Sequence, residues 1–362
     1  MSSTAIAVFG RITRTDAGNA QGYLKGNSGN LENALKDFYR MERATYINVS
    51  ELKKSGIEFK MPLISTIQLN ESFVNLPLLD ELLPLIKNQL KKSLLSLPLN
   101  VLTPKVKVAV FLSAVTTSES FFEVAKKFNV PHKIVLPIIL DVSKAINSVF
   151  SLPGFSEQKL LETALQFEQQ TSFPRIACVL GYYDYGNWTL ACDVNGEIFA
   201  LEGSNVRYRY TYSYVAANAK RFLPLPKPLS SDCKEKTSYR FLGIGQYNTD
   251  PLFYLPYGNT ELATCFNNVL ISAEHASRVT VNQMHALFPY QISKFPKDRQ
   301  KDILLSCVHL YNWMRKFPKL MDFYNMGQAQ RITPSRCYFS RTYIDNEHNQ
   351  IAEYLYETSK NK

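Results

Sequence analysis

Apolar positions along the chain change their period near residue 173, and that change divides the sequence into a helical front and a mixed rear. Leu31, Leu35, Phe38 and Tyr39 recur at helical spacing between Asn30 and Thr45. Leucines keep the same spacing through 76–96, where Pro84 starts or kinks a turn. Three helical pieces follow between Thr103 and Phe150: Pro104–Val115, Ser120–Phe128, and a third from about Pro131. Pro104 suits a first helical turn, Ser118 or Ser120 can cap the second helix, and Glu123 complements its dipole. With a short turn at Asn129-Val130, the pattern over 104–150 reads as a helix-turn-helix. A further helix is expected over Ser156–Gln170.

Beyond Phe173 the runs become short and strand-like. RIACVLGYYD, NWTLACDV and EIFALEG, with a turn signal at Asn195-Gly196, predict a meander. A polar stretch over Leu223–Thr237, a strand at YRFLGIG, and helices at Glu261–Ala286 and Asp298–Lys316 complete the rear. The expected organisation is a leader over 1–30, extended or flexible because glycines interrupt it, then a helical domain over 31–170. An α/β domain over 171–317 and a tail over 318–362 with no clear period follow.

Composition narrows the function classes. Apolar residues make up 45% and charged residues 20%, a globular balance. No apolar run is long enough to span a bilayer, and the start lacks the charged and apolar regions of a secretory signal. Six dispersed cysteines and five histidines show no metal-ligand spacing, so reduced thiols, an intracellular setting and no cofactor are expected. The net charge of +10 favours nucleic acid or acidic protein partners, yet it is diffuse. The densest spots are Lys53-Lys54, Lys91-Lys92 and Arg315-Lys316.

Two segments are candidate contact surfaces. In NVRYRYTYSY (205–214), Arg207 and Arg209 alternate with Tyr208, Tyr210, Tyr212 and Tyr214. As a strand this places the tyrosines on one face, for a partner, for stacking on bases, or for inward packing. The third helix of the helix-turn-helix carries only Lys133 and Lys144 as basic residues among many Ile, Val and Leu. It reads either as a buried core helix or as an apolar partner surface, not as a typical base-reading helix.

The segment FLGIGQYNTDPLFYLPY (241–257) resembles the Harbinger-type DDE transposases and their domesticated relatives. Leu242, Gly243, Tyr247, Leu255, Pro256 and Tyr257 fill the slots of that family's LGDSGYPL and WLLTPY-like stretches. The helix-turn-helix block, Phe173-Pro174, LACDVNG (190–196), Gly203-Ser204, FNNVL (266–270) and SCVHLYN (306–312) match further family pieces in order. The resemblance runs from about residue 60 to 315 and implies an RNase H-like mixed sheet with flanking helices behind the helix-turn-helix domain.

Enzymes of this kind hold two divalent ions with three carboxylates. Carried over residue by residue, the first aspartate falls on Gly181 and the second on Ile244. The glutamate falls on Arg278, or on Asn282 with a small insertion. None of these side chains belongs in a carboxylate cation site, and an arginine repels cations. Displaced carboxylates would be Asp184, Asp250 and Glu274, but one helical step of four moves a carboxylate by roughly 6 Å.

The resemblance therefore implies a catalytically inactive, transposase-derived pseudoenzyme. It would act as a nuclear interaction scaffold beside Myb/SANT-like proteins or chromatin-complex subunits, with a cytoplasmic pool left open. The alternatives are a DNA-binding protein that keeps a basic surface, a nuclease with displaced carboxylates, and an unrelated α/β protein.

Overall fold

A computed structural model describes residues 3–13, 17–42, 76–91, 102–128, 130, 132–183, 188–203, 211–230, 235–243, 253–254, 260–289, 291–317 and 346–360. The chain forms two compact units, Met1–Val149 and Phe150–Lys362.

The first unit opens with three helices, α1 (Ser3–Thr13), α2 (Ala17–Gly26) and α3 (Leu31–Glu42). Phe9, Ile12, Ala20, Leu24, Ala34, Leu35 and Phe38 form their shared core. Phe9 stacks on Tyr23 at 5.9 Å, and Phe38 meets both rings edge-on. Where the glycines predict an irregular leader over 1–30, the structure has two helices. Gly22 and Gly26 face open space, so they lower helix propensity without leaving holes, and burial of the apolar face outweighs that cost. Gly29, with φ of +80°, ends α2 by donating its N–H to Leu24 at 2.7 Å.

The rest of this unit is α4 (Leu76–Lys91, with Pro84 inside), α5 (Pro104–Thr116), α6 (Phe121–Lys127) and α7 (His132–Val149). Every residue of α5 from Val106 to Val115 is buried, as befits a helix that is apolar all round. α4, α6 and α7 pack around it. Of the two cap candidates for α6, Ser120 is the cap, and α5 is capped as well. Thr103 accepts from Val106 N–H, and Ser120 and Glu123 form a reciprocal capping box. On α7, Ile134, Val135, Ile138, Ile139, Val142, Ala145 and Ile146 are buried, which is the core-helix reading of this segment. Lys107 on α5 and Asp141 on α7 form an ion pair at 2.8 Å with both side chains almost wholly buried.

The second unit is built on a four-stranded mixed sheet of order β3-β2-β1-β6. Its strands are β1 (Ile176–Tyr183), β2 (Trp188–Cys192), β3 (Ile198–Gly203) and β6 (Arg240–Gly243). β1, β2 and β3 are an antiparallel meander, while β6 runs parallel to β1. Phe253 bridges Phe241 in parallel on the outer side of β6. A separate short ribbon pairs β4 (Lys227–Pro228) with β5 (Lys236–Thr237).

Both faces of the sheet are covered. On one face, α8 (Glu157–Thr171) and α9 (Thr211–Ala219) bury Leu160, Ala164, Val215, Ala216 and Ala219 against Cys178 and Leu180. On the other, α10 (Glu261–Leu287) and α12 (Asn346–Lys360) bury Phe266, Leu270, Ala273, Ile351 and Leu355 with Ile176 and Val179. α11 (Lys297–Met314) packs along β3 and α10.

Three expectations change here. α8, placed by the sequence in the helical domain over 31–170, packs on β1, because its buried face of Leu160, Ala164 and Phe167 completes the sheet's cores. The unplaced tail contributes α12, whose apolar stripe lies against α10. Finally, 211–214 begin a helix rather than continue a strand. Val215, Ala216 and Ala219 recur at helical spacing and are buried, and that pattern overrides the alternating tyrosines.

Candidate functional site

Two of the positions where the resemblance puts catalytic carboxylates, Gly181 and Arg278, fall on described parts of the second unit. Gly181 is buried near the end of β1, paired with Leu190 of β2. Its neighbour Leu180 is in parallel register with Gly243, the last residue of β6. Ile244, Asp184 and Asp250 lie outside the described residues.

Strand alternation puts Gly181 on the face it shares with Val179 and Tyr183. Val179 packs in one cluster with Ala273 of α10. Tyr183 stacks on His285 at 4.6 Å and donates its hydroxyl to the Phe288 carbonyl. The stretch of α10 between those contacts, which carries Glu274 and Arg278, therefore runs alongside Gly181.

Glu274 lies on this stretch of α10, and it is buried. Arg278, one turn later, donates Nε–H and an Nη2 proton to the same Oε2 of Glu274, at 3.1 and 2.5 Å. A hard divalent ion needs open carboxylate oxygens, whereas this one already faces a guanidinium. Asn282, the alternative glutamate position, is exposed. Among the described residues no group of three or more His, Cys, Asp and Glu is placed to hold a metal ion.

Asp193 has a local role in the β2–β3 hairpin. Its Oδ1 accepts from the Asn195 and Glu197 amides at 3.0 and 2.9 Å, and Lys159 lies 3.5 Å from Oδ2. Gly196 at φ of +81° makes the turn. A Cβ there would stand 2.2 Å from the Thr280 hydroxyl, so a larger residue would collide with α10.

Burial shifts four further titratable groups of the unit. Cys178 and Cys307 are held as thiols, their pKa values raised chiefly by burial. Burial pushes His309 down to about 4 and Tyr311 up to about 12. Two cations that count toward the +10 are also buried. Arg175 donates to the Pro228 carbonyl at 2.7 Å and lies over Tyr239, and Arg240 pairs with Glu347 at 2.6 Å.

The expected contact surfaces are only partly placed. Arg207, Tyr208, Arg209 and Tyr210 lie outside the described residues, and Tyr212 belongs to the first turn of α9. Lys133 belongs to the first turn of α7, and Lys144 is exposed on the same helix. The sequence reading missed the seat of α12, where Arg240, Glu347 and His348 meet. Ile351, Ala352 and Leu355, at helical spacing within that fifteen-residue helix, were its legible signal.

No described helix is long and apolar enough to cross a membrane. No protein-family model matches the chain, and no curated protein or solved structure matches it either.

Proposed function

We propose that the second unit is a DDE-derived, RNase H-like domain that has lost its cation site, and that the protein works as a nuclear binding scaffold. The observation that carries this reading is the Arg278–Glu274 pair beside Gly181. A guanidinium and a glycine stand where two of three metal-binding carboxylates belong, and the neighbouring carboxylate is neutralised by that guanidinium. The strand arrangement supports the ancestry. An antiparallel three-stranded meander is continued from β1 by parallel β6, with Phe253 parallel beyond it, and helices lie on both faces.

On this reading the partners are nuclear proteins, Myb/SANT-like or chromatin-complex subunits among them, and the fold serves as a docking platform. The first unit fits the same role. Its helix-turn-helix-like trio spends the third helix on core packing, with Lys144 as an outward cation. The test is purification of the tagged full chain from its own cells at moderate salt after nuclease treatment. A stoichiometric set of co-eluting nuclear proteins supports the scaffold. Protein that emerges alone contradicts it.

The +10 charge favours a second reading, direct DNA binding without cleavage. It requires an affinity that falls steeply as salt rises.

A further inference from the structure

We infer that the stretch from Leu223 to Pro228 is a docking strip for a partner domain whose groove is lined with aromatic rings and rimmed with acidic groups. It goes beyond the scaffold reading, because it stands on this segment alone and needs neither the DDE ancestry nor a nuclear setting. The sequence Leu-Pro-Leu-Pro-Lys-Pro alternates proline with larger residues. Each proline fixes its own φ at roughly −65° and holds the residue before it in extended or polyproline II backbone. Leu223 has φ of −64° and ψ of 133°, within the polyproline II region. Aromatic-lined grooves read such segments because the ligand already has its bound shape.

The strip is fastened at both ends and exposed between them. At its start the Leu223 N–H donates to the Lys220 carbonyl at 3.0 Å, Leu223 packs against the core that α8 and α9 cover, and Pro224 is buried. At its end Lys227 and Pro228 pair with Thr237 and Lys236, and the Pro228 carbonyl accepts from Arg175 at 2.7 Å. Between these anchors Leu225 is 78% exposed, more than any other large hydrophobic side chain among the described residues. Pro226, Lys227 and Pro228 are exposed beside it. A single exposed leucine is ordinary on a protein surface. This one sits on backbone that is already ordered, which lowers the entropy cost of docking.

Charge narrows the partner further. Lys220, Arg221, Lys227 and Lys236 are exposed on and around the strip, and the sequence has no acidic residue between Lys220 and Ser230. Arg221 lies over the Phe222 ring at 4.7 Å, and Glu235 is the acidic neighbour of Lys236. Acidic groups at the rim of the groove complement this excess of cations. Nucleic acid meets the same charges, but single strands gain from exposed rings on which bases stack. The strip offers leucine, proline and lysine instead.

The test is binding of the purified full chain to an immobilised panel of domains that read polyproline II segments through aromatic grooves, some with acidic and some with basic rims. The expected result is capture by acidic-rimmed members, weakened about tenfold or more by Leu225→Ser and by Pro226→Ala. Lys227→Glu should weaken it as well. Ile271→Ser, at an exposed apolar position on α10, should leave it unchanged. All four positions are exposed, so the variants keep the fold, and thermal melts check this. A panel in which no member binds, capture by basic-rimmed members alone, binding that survives Leu225→Ser and Pro226→Ala, or its loss in Ile271→Ser would overturn the inference. A silent panel together with capture of a labelled DNA duplex that Lys227→Glu abolishes would reassign the strip to nucleic acid. Neither result touches a scaffold that docks its partners elsewhere, which the co-purification decides.

Discussion

Arg278 and Glu274 lie one turn apart on α10, and the arginine places two donors on a single carboxylate oxygen of a side chain that is 1% exposed. An exposed pair at this spacing contributes little to stability. Here the carboxylate has left water, so the guanidinium stabilises a charge that would otherwise be strongly unfavourable. Removing the arginine alone should cost about 3 kcal/mol, while replacing the pair by Gln and Met should cost much less. Urea denaturation of Arg278→Ala and of the double variant measures both. A single variant within about 0.5 kcal/mol of wild type would show the pair to be incidental.

The Lys107–Asp141 pair makes the same case in the first unit, with both partners buried between α5 and α7. Lys107→Met leaves an isolated buried carboxylate and should destabilise by about 3–5 kcal/mol. Adding Asp141→Leu should recover most of that loss. Thermal melts of the single and double variants test it, and additive losses would contradict it.

Asn312 of α11 closes the free edge of β3. Its Oδ1 accepts from Ile198 N–H at 3.0 Å and its Nδ2 donates to the Ile198 carbonyl at 2.6 Å, as a neighbouring strand would. Asn312→Leu leaves both backbone groups without that partner and should cost about 2 kcal/mol. It also opens a strand edge to other chains, so light scattering should rise with concentration. Unchanged stability and scattering would mean that the edge is protected by other means.

His309 titrates at about 4 because burial penalises its charged form, and Phe150 stacks on it at 6.1 Å. Its folded-state value lies below the unfolded one. Its contribution is therefore complete above about pH 6.5 and is lost as pH falls toward 4. With partial solvent screening, that loss is on the order of 1–2 kcal/mol. His309→Gln should flatten the fall in unfolding free energy over this window, and a profile identical to wild type would contradict the assignment.

Much of this fold was legible because periodicity and local chemistry agreed. α5, α6 and α7 lie where Pro104, Ser120 and the apolar runs put them, and Asn195-Gly196 marks the β2–β3 hairpin. The failures share one cause, tertiary burial overruling local signals. Glycines at 22 and 26 obscured α2, whose stability comes from Leu24 and Ala20 in a shared core. Alternating tyrosines suggested a strand where Val215, Ala216 and Ala219 required a helix. The resemblance pointed to the positions Gly181 and Arg278. That Arg278 neutralises Glu274 was not legible, because a spacing of four on a helix allows a contact without fixing either side chain's burial.

Cleavage of supercoiled plasmid by the purified full chain with Mn²⁺ is the most direct test of a lost cation site. The expected result is no nicking above a buffer control at any Mn²⁺ concentration. Metal-dependent nicking that disappears in Glu274→Gln and survives in Glu162→Gln, an exposed-helix control on α8, would show that a working carboxylate site remains and would contradict the pseudoenzyme reading.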